Sequence, residues 1–212
     1  MHFTKVTVFS ICLLPFTWMV WQAMNQLLGS NPVEELLYQS GGWALRFVLI
    51  VLAVSPLRKL TGWTTLLRFR RMLGLFAFFY ASSHFLVYFL LDLGMDFSFV
   101  IEDIIKRPYI TIGFTALVLL IPLALTSTKG MMRRMGRNWK KLHKLVYLIG
   151  ILGVVHYLWL VKADLLEPLI YAAILLTLFA IRWFDIKIPL VTFKKKSCTG
   201  QPGVSVVSDE TA

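Results

Sequence analysis

Six long stretches almost free of charge constrain this 212-residue chain more than any single motif. A hydrocarbon core of roughly 30 Å is crossed by about 20 apolar helical residues, and inside lipid each backbone N–H and C=O must be satisfied within its own segment. The runs predict helices over Val6 to Leu28, Trp43 to Leu57, Met72 to Leu93, Tyr109 to Thr126, His143 to Val161 and Pro168 to Trp183. Pro15 is expected as a tolerated kink in the first. The second is short, and Pro56 is expected to end it. The first run has no small-residue cleavage site and reads as a span, not a removable signal. A composition of 58% hydrophobic residues agrees, since soluble domains seldom exceed about half. The expected fold class is an all-α integral membrane protein, a bundle of six transmembrane helices.

Charge gathers between the runs. Arg58, Lys59, Arg68, Arg70 and Arg71 share one loop with no acid, seven Lys or Arg lie between Lys129 and Lys144, and Lys194 to Lys196 open the tail. The alternate loops carry Glu34, Glu35, Asp92, Asp96, Glu102, Asp103, Asp164 and Glu167. The excess of basic residues in cytoplasmic loops predicts both termini inside. The net charge of +11 is thereby explained by topology, and nucleic acid is not expected as a partner. Residues 1–193 form one transmembrane domain in this reading, and the polar tail 194–212 is expected to be disordered. FSFVIEDIIKRPY reads as an amphipathic piece on the outer surface. Cys12 and Cys198 belong to no CxxC pattern, which speaks against a disulfide framework and covalent c-type haem. No internal repeat is visible and the middles of the spans lack Asp, Glu and Lys, so a transporter or channel is the weaker class.

What lipid does not ask for is histidine. His84 lies thirteen residues beyond Arg71 on the third run, and His156 thirteen beyond His143 on the fifth. Both therefore sit about 20 Å from the basic ends, at about 1.5 Å per residue. Two helices with one imidazole each at one depth can hold a planar iron porphyrin between them. The plainer reading is that each ring hydrogen-bonds a neighbouring Ser, Thr or carbonyl, with Ser82 and Ser83 beside His84. Zinc is disfavoured, because no thiolate or carboxylate completes a tetrahedron at that level. Arg46, near the outer end of the second run, is the other ionisable group in an apolar region.

His143 stands at the basic mouth among Lys140, Lys141 and Lys144, about 140° from His156 on an ideal helix. Opposite it the third run offers Arg70 or Arg71 and no histidine. A second haem with an unusual partner is one reading. A cluster binding haem propionates, a quinone or a flavin phosphate is another. Simple anchoring of the arginines at the membrane surface is the third.

The segments LRFRRMLGLFAFFYASSHF, RPYITIGFTALVLL, LALTST and RNWKKLHKLVYLIGILGVVHYLW, in that order and spacing, resemble the MsrQ (YedZ) family. Its members are haem-binding membrane subunits of the MsrPQ system, within the ferric-reductase-like transmembrane group. The resemblance runs from Asn31 to Lys162. In the wider group, histidine pairs on the third and fifth spans bind two stacked b-type haems. The resemblance carries that role to His84, His156 and His143, and puts Arg70 where the fourth histidine stands. It implies one haem b at His84 and His156, and leaves a second at His143 open.

It further implies a non-catalytic electron-transfer subunit in a bacterial inner membrane. The quinone pool would be the donor, and a periplasmic molybdopterin reductase of MsrP type, which repairs methionine sulfoxide, the acceptor. Flavin mononucleotide (FMN) is attributed to the family, with no motif here to locate it. The alternative is a transmembrane haem reductase acting on another external acceptor. Residues after Trp183 are too few for appended flavin and nicotinamide domains, so that alternative calls for a separate cytosolic flavin reductase.

Overall fold

A computed structural model describes residues 2–161 and 164–183. Among them all regular structure is helical: α1 (His2–Met24), α2 (Pro32–Thr61), α3 (Leu66–Val87), a π-helical turn (Tyr88–Asp92), α4 (Phe97–Lys106), α5 (Pro108–Leu125), α6 (Lys129–Met135), α7 (Arg137–Leu142), α8 (Leu145–Leu160) and α9 (Leu166–Trp183). Six helical segments are long and apolar enough to cross a membrane: α1, α2, α3 with its π turn, α5, α7 with α8, and α9. The expected tail at 194–212, its Cys198, and the domain boundary at 193 lie outside the described residues.

The third span begins at Leu66, six residues before the expected Met72, and two other spans differ for local reasons. The second span is not short: α2 has 30 residues. Asn31 caps its start by accepting from the Glu34 amide, Pro32 occupies the first turn, where a missing N–H costs nothing, and Glu34 and Glu35 face the positive helix end. Pro56 sits inside α2 and is buried, so it does not end the helix. The stop comes at Gly62, whose left-handed backbone (φ 72°) lets its N–H close on the Arg58 carbonyl at 2.9 Å. The fifth crossing, by contrast, is interrupted. The chain turns at His143 and Lys144, between α7 and α8, so the angle drawn for an unbroken helix does not apply there.

α2 is the hub. Its Phe47, Val48, Leu49, Val51, Leu52 and Val54 are buried, and it packs on α1, α3, α8 and α9. A helix apolar on all sides belongs in the middle of a bundle. At Gly150 of α8 an added Cβ would lie 3.0 Å from Leu52 Cδ1, so the bare glycine sets how closely α8 approaches α2. Phe3, Val6, Leu14 and Trp18 of α1 stay exposed along its outer side, as a lipid-facing surface would. The amphipathic piece forms α4, capped by the Asp96 carboxylate on the Ser98 amide at 2.8 Å. The hydrogen bonds from Ser98 hold that exposed carboxyl below the usual range. α4 is tied back by Asp103, which accepts from Tyr88 Oη at 2.6 Å and pairs with Arg107 at 3.2 Å.

Beside Pro15, which has no N–H to give the Ile11 carbonyl, a neighbouring side chain enters the next rung of the α1 ladder. The hydroxyl of Tyr80, wholly buried on α3, sits between Phe16 N–H and the Cys12 carbonyl. It accepts from the former at 3.0 Å and donates to the latter at 2.9 Å. A side chain inserted in the backbone ladder is one of the recognised causes of a helix kink. Tyr80→Phe is expected to destabilise the folded bundle by about 1–3 kcal/mol, the cost of stranding a buried polar group. A thermal or denaturant unfolding curve of the purified protein checks it, and an unchanged midpoint would refute it.

Candidate functional site

His84 on α3 and His156 on α8 face each other with ring centroids 6.4 Å apart. Each ring is held through Nδ1. His84 Nδ1 lies 3.0 Å from the Leu37 carbonyl and 3.2 Å from Ser40 Oγ, both on α2. The Ser40 hydroxyl gives its own proton to the Leu36 carbonyl at 2.6 Å, so both neighbours of His84 Nδ1 act as acceptors. His156 Nδ1 lies 2.6 Å from the Tyr109 carbonyl on α5. A carbonyl only accepts, which assigns the proton to Nδ1 on both rings and leaves the Nε2 lone pairs free.

Each docking point is a notch in a helix. The carbonyl of Leu37 is followed four residues later by Gly41, and that of Tyr109 by Gly113. A Cβ on Gly41 would meet His84 Nδ1 at 3.1 Å, and one on Gly113 would meet His156 Nδ1 at 2.8 Å. Any side chain at those two positions would hold the imidazoles away from the carbonyls. Neither notch was predicted from the sequence, where Ser82 and Ser83 stood nearest to His84; Ser83 instead donates to Phe79 in its own helix. The only trace in the sequence was glycine inside two otherwise apolar helices.

Two imidazoles presenting Nε2 are a donor set for a metal with two axial positions. With metal–nitrogen bonds of about 2.0 Å, the ring centres of two such ligands stand about 6 Å apart, close to the observed separation. Among the described residues, no three His, Cys, Asp or Glu side chains converge as a metal site. The hydrogen bond to Nδ1 is the outer-shell contact that fixes tautomer and ring plane in ligating histidines.

His143 is built differently. Its Nε2 meets Thr126 Oγ1 at 3.2 Å, while that hydroxyl donates to the Pro122 carbonyl at 2.6 Å. Nε2 therefore carries the proton, the reverse of the other pair. The ring lies against Trp139 at 4.0 Å, and the indole N–H bonds the Thr126 carbonyl at 2.9 Å. His143, Arg70, Arg71, Lys140, Lys144 and Arg182 line one cavity of about 400 Å³, floored by apolar residues including Val48 and Leu120. Arg71 also points Nη1 at Met132 Sδ, 3.5 Å away. Arg70 stands fourteen residues before His84, about 21 Å along the helix, so the cavity and the histidine pair occupy opposite ends of α3. Arg182, at the far end of α9, was not anticipated; it is the last charge before the chain leaves its final span.

A third polar group borders the histidine pair. Tyr38 on α2 and Tyr157 on α8 bring their hydroxyls within 2.7 Å, and both lie against the Glu167 carboxylate of α9, Tyr157 at 2.9 Å. Arg46 reaches Glu167 at 3.6 Å and donates through Nε to Tyr171 Oη at 2.8 Å. Arg46, read from sequence as one isolated ionisable group, thus has partners on another helix.

Residues 40–154 match the model of the family described as ferric reductase like transmembrane component. The chain is 56% identical over 165 residues, 78% of its length and 76% of the relative's, to the protein-methionine-sulfoxide reductase heme-binding subunit MsrQ of Xanthomonas euvesicatoria. Identity to the MsrQ of Xanthomonas campestris pv. campestris strain 8004 is 56% over 184 residues, 84% of each chain. To that of Rhodospirillum rubrum it is 51% over 179 residues, 84% of this chain and 86% of the relative. No solved structure matches the chain.

Gly113→Ala is expected to push His156 off its carbonyl and to weaken metalloporphyrin binding about 10–100-fold, the usual cost of losing an outer-shell partner. Gly29→Ala, with open space around the added carbon, should leave binding unchanged. Titration of the apoprotein with haemin compares the two, and equal affinities would refute the notch.

Proposed function

Since the chain belongs to the ferric reductase like transmembrane component family and, within it, to the MsrQ heme-binding subunits, we propose that it is the membrane electron-transfer subunit of a methionine sulfoxide reductase system, working through b-type haem held by His84 and His156. One observation carries the reading: both imidazoles are locked through Nδ1 onto backbone carbonyls, which leaves Nε2 unprotonated on two rings whose centroids stand 6.4 Å apart. Haem iron supplies a one-electron couple inside the hydrocarbon layer. The protein's part is to keep both rings in the ligating tautomer and to surround them with packed helices.

The inner cavity serves an anion in this reading. Five Lys or Arg side chains line it, and His143 spends Nε2 on Thr126 with no histidine opposite. That supports one haem, with Arg70, Arg71 and their neighbours receiving the phosphate of FMN beside Trp139 and His143, in preference to a second haem on His143. Guanidinium and ammonium groups suit such a phosphate. The basic loops support a cytoplasmic placement of this end, with both termini inside a bacterial inner membrane. The histidine pair then lies towards the periplasm, where a molybdopterin reductase of MsrP type is the acceptor. The quinone pool is the donor we favour. A cytosolic flavin reductase delivering electrons at the inner cavity is the alternative source.

The purified protein is expected to show the absorption of a six-coordinate b haem, with one haem per chain. His84→Ala and His156→Ala should each abolish that spectrum, whereas His143→Ala and Arg70→Gln should keep it and lose bound flavin. Unchanged spectra in both of the first pair sink the assignment, and two haems per chain would restore His143 as a ligand. Donors are separated by supplying membranes with quinol alone or with a flavin reductase and its nicotinamide, then following haem reduction.

A further inference from the structure

We propose that Tyr38, Tyr157 and Glu167 form a positioning device for the histidine pair, fixing α2 against α8 at the one setting in which both imidazoles face a common iron. The inference rests on the haem reading above, and it concerns the three side chains of the chain itself.

The placement of the triangle is its main argument. Tyr38 directly follows Leu37, whose carbonyl orients His84, and Tyr157 directly follows His156. The bond of 2.7 Å between the two hydroxyls therefore joins points one residue away from each anchor. α2 does not carry His84, but it sets the plane of that ring; α8 carries His156 itself. A shift of α8 along α2 would change the relation of the two imidazoles, and the phenol pair is the contact nearest to that movement.

Its chemistry is the second argument. Apolar contacts between helices are individually weak and non-directional, and hydrogen bonds add a directional restraint to them. Hydrogen bonds of 2.7 and 2.9 Å weaken steeply once distances pass about 3.2 Å for such groups, so a movement of half an ångström is resisted. Two phenolic protons serve three oxygens here, and the carboxylate is matched by Arg46 from α2 at 3.6 Å. Glu167 adds α9 as a third wall. Charged groups at a helix–helix junction within a membrane protein are costly unless paired. Leucine would join these helices as well, so the polar triangle contributes direction and register.

The test uses the full chain, loaded with haem, in nanodiscs. Tyr38→Phe and Tyr157→Phe each remove one hydroxyl and keep the ring. Both are expected to retain haem while shifting or broadening the low-spin ferric g values, which report the relative setting of the axial imidazole planes, and to move the midpoint potential in the same direction. The double variant should shift no further than either single one, since both delete the same link. Tyr171→Phe, which breaks only the Arg46 contact outside the triangle, should leave g values and potential unchanged. If Tyr38→Phe does not fold, Tyr157→Phe, which deletes the same link from the other helix, carries the test.

Unchanged g values and potential in the phenol variants, even with a lower melting temperature, would overturn the proposal and leave a merely structural contact. An equal shift in Tyr171→Phe would overturn it as well, because the effect would then not belong to the triangle. A wild-type protein without a bis-imidazole signal would instead overturn the haem reading.

Discussion

An imidazole N–H among apolar helices needs an acceptor, and in this bundle it finds one on a neighbouring helix. Everything at the histidine pair depends on those two contacts, Leu37 carbonyl to His84 and Tyr109 carbonyl to His156. Helix carbonyls are normally shielded by the side chain four residues on. Glycine at 41 and 113 opens them. The result settles three matters together: which nitrogen carries the proton, how each ring is turned, and how near α2 and α5 stand to the helices that bear the histidines. The hydrogen bonds expected of ordinary intramembrane histidines are indeed made, yet they consume only Nδ1. Satisfied packing and readiness to bind a metal are compatible here.

The same rule explains why the third histidine is different. His143 sits where the fifth crossing breaks between α7 and α8, and it turns Nε2 to a threonine hydroxyl. Around it lie cations and an indole in place of a second imidazole. One end of α3 is organised around neutral rings on carbonyls, and the other around positive charge bordering a cavity. Such an asymmetry suits the role proposed above, in which electrons enter at one membrane face and leave at the other.

Much of the architecture was legible beforehand. Spans four and six were found to within two residues, and spans one and three to within four and six, because apolar run length is a direct demand of the bilayer. The second was misjudged because helix ends are decided by caps, and Asn31, Pro32 and Gly62 outweighed Pro56. The break before α8 was missed because apolarity does not register a turn. Arg182 escaped notice because its value lies in the cavity that it shares with residues of α3 and α7.

By itself, the sequence determined that the chain is a six-span helical bundle, and that His84 and His156 stand at matching depth. Both follow from distance along one helix, a quantity carried by residue count. It did not determine what each ring touches. Those contacts join residues tens of positions apart, 37 with 84, 109 with 156, 38 with 157 and 167, on helices whose rotation about their own axes no periodicity records. Only packing around α2 decided which carbonyl meets which imidazole, and so why two of the histidines offer Nε2 while the third holds it back.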